Sequence, residues 1–306
     1  MDRESLTSPT RVKQLLDRLE VRASKVLGQN FLIDRNVLNI LVDAAELNAG
    51  DGVLEIGAGL GVVSREIAAR CGRLLAVEKD PRLCAYLDQT VGKRPNVRVA
   101  CRDALELDHA DLVSRGYVKM VGNLPYSVGS RIVMDAAMCA EPVELAVVTV
   151  QKEVAERMSA PTGGKAFGLL SLWIQMAFHV EPIKTVSSTC FRPRPGVVSE
   201  IVRLRRRRPL LSAEKSDRML FFGLTRFLFM HRRKQLASLL AQALCAPAHG
   251  PDGWRAALEA RGLAPRSRPE DLPPAAWAEL MSGPLRGGEL EPSLRNRKHE
   301  ASAKTA

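Results

Sequence analysis

An α/β fold with a mostly parallel sheet, followed by a smaller helical domain, is what this sequence predicts. Three observations carry the prediction. Short β-rich runs alternate with helical patterns from residue 35 to about 205, the pattern of a parallel sheet covered on both faces. That alternation stops at Arg205-Arg206-Arg207-Arg208-Pro209. Beyond it the apolar residues recur only at helical spacing. A chain of 306 residues, 46% hydrophobic and 26% charged, has room for one large domain and a smaller one around a sizeable core.

In chain order, residues 1–20 read as an N-terminal extension; they contain no apolar stretch of the kind a secretory signal needs. Residues 21–207 form the sheet domain. Val53-Leu54-Glu55-Ile56-Gly57 is a strand followed by a helix from Val62 to Ala69, and Leu74 to Glu78 is a strand followed by a helix from Pro81 to Thr90. Val97 to Ala100 and Met120 to Gly122 are strands, and a helical segment from Ser130 to Met138 leads into the strand Leu145 to Val150. Phe178 to Val186 and Glu200 to Leu204 have no long helix between them, which suits an antiparallel pair at the far edge of the sheet. Residues 208–282, with helical patterns at Asp217 to Ala243, Gly253 to Ala260 and Pro274 to Met281, form the second domain. Residues 283–306 are polar and contain Gly and Pro, the composition of a disordered basic tail.

Composition narrows the function classes. No apolar run approaches the ~18 residues of a membrane span. The six cysteines are scattered without a Cys-x-x-Cys pair, so reduced thiols in a cytoplasmic protein are expected, with no disulfide framework and no metal site. The net charge of +11 is uneven: residues 1–204 carry 26 Lys/Arg against 24 Asp/Glu, and residues 205–306 carry 19 against 10. A basic excess confined to one third of the chain suits contact with phosphates.

The glycine-rich turn Glu55-Ile56-Gly57-Ala58-Gly59-Leu60-Gly61 closes the first strand and opens a helix. Glycines there permit a tight turn and close backbone approach to a ligand. The spacing departs from the dinucleotide fingerprint, since Val62 stands where that pattern wants Gly. Glu55 beside the first glycine suits a cationic cofactor better than a diphosphate. Glu78, at the end of the next strand, suits two ribose hydroxyls, and Asp103, after the third, suits an adenine amino group. The set favours S-adenosylmethionine over NAD.

Asn123-Leu124-Pro125-Tyr126 follows the fourth strand. The Asn123 side-chain oxygen and the Pro125 carbonyl are expected to accept hydrogen bonds from an adenine N6. That stabilises positive charge as a methyl group arrives, without a base. Tyr126 can stack on the ring, an interaction typically worth ~1–3 kcal/mol. In Cys190-Phe191-Arg192-Pro193-Arg194-Pro195 the prolines stiffen the loop. Phe191 is the candidate for the other face of a flipped base, with Arg192 and Arg194 left for phosphates.

These motifs, in this order, resemble the ribosomal RNA adenine N6,N6-dimethyltransferase family over residues 20–245. Gly28-Gln29-Asn30-Phe31-Leu32 looks like its N-terminal motif, Glu55 to Gly61 its glycine loop and Asn123 to Tyr126 its catalytic motif. Gln151 to Arg157, Phe191 to Leu204, and Phe229 to Leu236 (the start of a helix in the smaller domain) resemble further segments. The resemblance implies a class I, Rossmann-like methyltransferase sheet with a helical C-terminal domain. It implies that Asn30, Leu32, Glu55, Gly57, Gly59, Glu78, Asp103 and Asn123 bind S-adenosylmethionine, and that Asn123, Pro125, Tyr126 and Phe191 hold the adenine. Arg102 stands where the family commonly has Gly. Leu124 looks like the small-subunit branch; the branch acting on large-subunit RNA more often has Ile there.

The expected activity is dimethylation of adenosines near the 3′ end of small-subunit ribosomal RNA. The expected setting is a cytoplasmic monomer acting on a preribosomal particle in ribosome biogenesis, with Arg205 to Arg208 and Arg232 to Lys234 on RNA phosphates. The alternatives are the large-subunit, macrolide-resistance activity and an assembly factor whose methylation is secondary. An NAD-dependent oxidoreductase and a DNA adenine methylase are further rivals, the latter disfavoured by Leu124.

Overall fold

The computed structural model describes residues 6–21, 29–208, 210–211, 214–244, 250–264, 266–285 and 288–294. Two compact units are present: residues 1–159 with 177–207, and residues 160–176 with 208–306.

The first unit opens on α1 (Pro9–Arg18), followed by β1 (Phe31–Leu32) and α2 (Arg35–Asp43). Asp34 starts α2 by accepting the Val37 amide at 2.9 Å. Then come β2 (Gly52–Ile56), α3 (Val62–Ala68), β3 (Arg73–Glu78), α4 (Pro81–Gln89), β4 (Val97–Cys101) and α5 (His109–Ser114). They are followed by β5 (Tyr117–Asn123), α6 (Gly129–Ala137), β6 (Leu145–Gln151) and α7 (Lys152–Met158). After α8 (Leu169–Ala177) of the second unit, the sheet resumes with β7 (Phe178–Val186), β8 (Phe191–Arg192) and β9 (Ser199–Arg206).

Seven strands form one sheet in the order β4-β3-β2-β5-β6-β9-β7. The first five are parallel, and β9 pairs antiparallel with both β6 and β7. The antiparallel pair expected at the far edge is therefore present. Val53, Ile56, Leu74, Val77, Met120, Val121, Val147 and Val148 are essentially inaccessible, as parallel strands covered on both faces should be. The parallel order reverses between β2 and β5, and the strand ends there leave a crevice. Separately, β1 and β8 form a two-stranded antiparallel ribbon with Leu32 opposite Phe191. That pairing ties the N-terminal motif to the Phe191 loop. Arg22 to Gly28, including the first residue of that motif, lie outside the described residues.

The second unit holds α8 to residue 176, α9 (Lys215–Met230), α10 (Leu236–Ala243), α11 (Pro251–Glu259) and α12 (Pro274–Ser282). Its centre is aromatic. Trp173, Phe221, Phe222 and Trp277 pack with centroids 5.0–6.0 Å apart, and the Trp173 indole donates to Thr225 at 3.2 Å. No helix among the described residues is long and apolar enough to cross a membrane.

Four expectations need correction. The helix read across Asp217 to Ala243 breaks after Met230 into a turn at His231 to Lys234 and restarts at Leu236. Residues 160–176 cluster with the second unit although the sequence reading placed them in the sheet domain. Of the expected tail, residues 283–285 and 288–294 are not featureless: Leu285 is fully buried, and Leu290 bridges Leu244 and packs against Gly223, while residues 295–306 lie outside the described residues. Finally, Cys84 and Cys101 form a disulfide, Cα atoms 5.6 Å apart, where reduced thiols were expected. Register explains the pairing: Cys101 lies opposite Glu78 at the end of β4, and Cys84 occupies the first turn of the helix that leaves β3. Cys245 lies outside the described residues.

Candidate active site

The C-terminal ends of β2, β3, β4 and β5 surround a cavity of about 160 Å³. Its floor is the glycine loop. Gly57, Gly59 and Gly61 have φ of 75°, 57° and 77°, a region costly to any residue with a Cβ. Space also matters at all three, a Cβ on Gly61 lying 3.0 Å from the Leu87 side chain. A Cβ on Gly57 would lie 3.2 Å from the Asn123 carbonyl oxygen, and one on Gly59 would lie 3.3 Å from the Phe31 ring. The loop therefore lies directly against the end of β5.

Glu78 organises that loop. Its Oε2 accepts the Gly59 amide at 2.9 Å, and its Oε1 accepts the amides of Lys79 at 2.8 Å and Asp80 at 2.9 Å. Three backbone donors hold one carboxylate at the cavity wall. Asp103 stands across from it, with Oδ1 on the Leu105 amide at 3.0 Å and Oδ2 on Lys79 Nζ at 2.6 Å. The Lys79 ammonium, and next the Leu105 amide, hold the Asp103 carboxyl below its usual range, so it stays ionised.

Asn123 ends β5. Its Nδ2 donates to the Asn30 carbonyl at 2.7 Å, while its buried Oδ1 has no partner among the described residues. An unsatisfied buried acceptor is costly; here the donor end is pinned and the acceptor end is left over, in a residue that lines the cavity. Leu124, 1% exposed, anchors the segment in the core. Tyr126 is half-buried, and its hydroxyl is hydrogen-bonded to that of Ser199. Burial pushes its phenol up, opposed by the Ser199 bond, so the ring stays neutral.

Of the residues expected in the site, Asn30, Leu32, Gly57, Gly59, Glu78, Asp103, Asn123 and Pro125 line the cavity. Glu55 does not. It is buried beneath the loop at 1% exposure, and burial, with the Glu78 charge adding to it, raises its carboxyl to about 8. It is a neutral acid at pH 7, not a counter-charge. The Pro125 carbonyl is engaged: it accepts the amides of Val128 at 3.1 Å and Gly129 at 2.8 Å as the chain turns into α6. Both of its lone pairs are spoken for. The Leu124 carbonyl, one residue earlier, accepts no such turn amide among the described residues.

Tyr126 and Phe191 lie beside each other outside the cavity lining, centroids 6.5 Å apart and planes inclined at 76°. Rings so inclined do not present two parallel faces to one flat base. Phe191, 3% exposed, packs with the core and meets Tyr126 edge to face.

Sequence reasoning missed Leu6, Lys79 and Ile132, which also line the cavity. Leu6 comes from the N-terminal extension, where α1 packs with Phe31, Leu60 and Tyr86. Nothing in its local sequence marks it. Lys79, next to Glu78, was within reach of inspection. Arg102, the departure from the family pattern, lines the cavity beside Asp103.

Six of the seven basic residues expected on RNA, all but Arg207, divide into two sets. Arg205 pairs with Glu46 at 2.6 Å, Arg206 lies near Glu144 and Glu141, and Arg232 pairs with Glu270 at 3.4 Å. Arg208, Arg233 and Lys234 are exposed and have no ion pair among the described residues.

The donor set fits a nucleoside bearing a cation. It offers two carboxylate walls, a glycine backbone and apolar side chains such as Leu32 and Val77. No histidine lines the cavity among the described residues; burial keeps the inaccessible His109 neutral.

The family model "Ribosomal RNA adenine dimethylase" matches residues 20–279. The chain is 39% identical over 246 residues to "Ribosomal RNA small subunit methyltransferase A" of Alkaliphilus oremlandii, covering 79% of this chain and 84% of that one. It is 36% identical over 285 residues to the protein of the same name from Geobacillus thermodenitrificans, covering 91% and 97%. Among solved structures, a dimethyladenosine transferase from Plasmodium falciparum superposes with a TM-score of 0.66 at 21% identity, over 81% of this chain and 95% of that one. The 23S rRNA methyltransferase ErmE superposes with 0.60 at 28% identity, over 83% and 98%.

Proposed function

This chain belongs to the ribosomal RNA adenine dimethylase family, and from that membership we propose that it dimethylates N6 of adenosines near the 3′ end of small-subunit ribosomal RNA. It is a class I, Rossmann-like methyltransferase and uses S-adenosylmethionine. The cofactor supplies an electrophilic methyl group on a sulfonium. We take a small-subunit particle as the substrate and a cytoplasmic monomer as the working form.

The observation that carries this reading is Asn123, with its amide nitrogen held by the Asn30 carbonyl and its buried oxygen unpartnered among the described residues. An adenine N6 is a poor nucleophile because its lone pair is delocalised into the ring. Asn123 Oδ1 accepts one N6–H and favours a more tetrahedral nitrogen; it also stabilises the positive charge that develops there, an electrostatic role fixed before the reaction. The second acceptor is a backbone carbonyl of the same tetrapeptide, and Leu124 replaces Pro125 in that role because the turn into α6 consumes the Pro125 oxygen. Tyr126 supplies the stacking face, with Phe191 behind its edge. Glu78 and Asp103 bind the cofactor's hydroxyl and amino groups, and Gly57 and Gly59 admit it to the backbone. Exposed Arg208, Arg233 and Lys234 give RNA affinity that weakens with salt.

ErmE, a 23S rRNA methyltransferase, keeps the large-subunit reading in view. Mass spectrometry of ribosomal RNA from cells with and without this protein separates the two. Loss of dimethyladenosine from small-subunit RNA supports the proposal. Loss from large-subunit RNA supports the second reading, and no change in either refutes both.

A further inference from the structure

Beyond the residues that touch cofactor or base, one buried side chain is bound to the acceptor motif from the sheet. Ser199 is the first residue of β9 and is 0% exposed. Its backbone is fixed on both sides, opposite Gln151 of β6 and opposite Val186 of β7. A hydroxyl sealed from water needs a partner within the protein. The partner of Ser199 is the phenol of Tyr126, 73 residues away in sequence.

Tyr126 is also held at its other end. The carbonyl of the preceding Pro125 accepts two amides of the turn, and the ring lies edge to face against Phe191 at 6.5 Å. Two side-chain torsions remain to a tyrosine after its backbone is placed. The Phe191 contact restrains the ring on one edge, and the Ser199 bond fixes its tip. Without the latter the ring can swing away from Phe191 while its backbone stays in place.

We propose that Ser199 is a positioning residue for methyl transfer: its hydroxyl, fixed in the central sheet, holds the Tyr126 ring in the orientation on which the target adenine stacks. This rests on the reading of Asn123 to Tyr126 as the adenine site. Ser199 touches neither base nor cofactor. It acts through the tyrosine, by removing a motion that binding would otherwise have to freeze. The same nitrogen must be presented twice for dimethylation, so a loosened ring tells most on the second transfer.

The test is a kinetic double-mutant cycle on small ribosomal subunits lacking the modification, using Ser199→Ala, Tyr126→Phe and both together. Each single change should lower kcat/KM for RNA by roughly tenfold, the usual scale for losing one hydrogen bond and stranding its partner. Affinity for S-adenosylhomocysteine should stay within about twofold of the parent. The double variant should be no worse than about twofold below either single one, because both break the same bond. The fraction of product left as monomethyladenosine should rise in all three. Effects that multiply independently, or a lowered Tm with unchanged kinetics and product ratio, would overturn the proposal. Should Ser199→Ala fail to fold, Tyr126→Phe decides alone: activity and product ratio like the parent refute it. Asn123→Ala serves as the control for the underlying reading; if that variant is fully active, the adenine site itself is misplaced, a failure distinct from silence at Ser199.

Discussion

Replacing Asn123 with Ala removes the acceptor on which the proposed chemistry turns, and two consequences of different size can be worked out. On the reaction side, one preorganised partner for developing charge is lost, a change worth roughly 10²–10³ in kcat. On the binding side, the Asn30 carbonyl loses the donor that reaches it at 2.7 Å. One net hydrogen bond is worth about 1 kcal/mol, so cofactor affinity should fall only about fivefold. The variant should thus bind S-adenosylhomocysteine nearly as well as the parent and transfer methyl groups hundreds of times more slowly. Single-turnover transfer of labelled methyl groups to small subunits, with calorimetry for the cofactor product, measures the two separately. A loss of kcat below about tenfold would refute the reasoning, as would an affinity loss equal to the rate loss, which would make Asn123 a cofactor ligand alone.

Three further outcomes follow from the geometry. Gly57→Ala places a Cβ 3.2 Å from the Asn123 carbonyl oxygen at φ 75°; a cost of about 1–2 kcal/mol in stability is expected, with weaker cofactor binding, read by denaturation and calorimetry. Glu55 holds its proton more tightly folded, at about 8 against 4.5 in the ordinary state. The unfolded chain therefore binds fewer protons between those values, so this residue's contribution to stability falls as pH rises through that window and levels off above it. Glu55→Gln should flatten that part of the decline in denaturant midpoints between about pH 5 and pH 8; an unchanged slope would show that Glu55 is ionised when folded. Thr225→Val strands the buried Trp173 indole in the second unit and should cost about 1–3 kcal/mol in stability while leaving kcat unchanged.

Much of the sheet unit was legible because its signals are local. Continuous apolar runs marked the buried strands, and glycines marked the turn whose φ values and close approaches demand them. Asn123 stood out because an amide, a proline and a tyrosine at a strand end have a chemical meaning together. What escaped depended on distant parts of the chain. The break after Met230 was hidden because apolar residues continue on both sides of it, at Leu228 and Leu236. The engagement of the Pro125 carbonyl follows from where α6 begins, two residues that no motif specifies. Leu6 reaches the cavity only because α1 folds back onto Phe31 and Leu60. Glu55 was misread since its proximity to glycines suggested a ligand, whereas the strand turns its side chain into the core. Ser199 falls within the family-like segment Phe191 to Leu204, but nothing local marks its side chain; a serine after a proline-rich loop gains its role only through the register of β9.

A crystal structure of the protein with S-adenosylhomocysteine and an adenosine-containing RNA fragment is the decisive test of Asn123 as the adenine acceptor. The predicted result is the adenine amino nitrogen about 2.7–3.2 Å from Asn123 Oδ1, with Tyr126 against one face of the ring and the sulfur of the cofactor product on the far side of that nitrogen. An adenine bound with its amino group turned away from Asn123, or a nucleoside cofactor seated elsewhere than between Glu78 and Asp103, would contradict it.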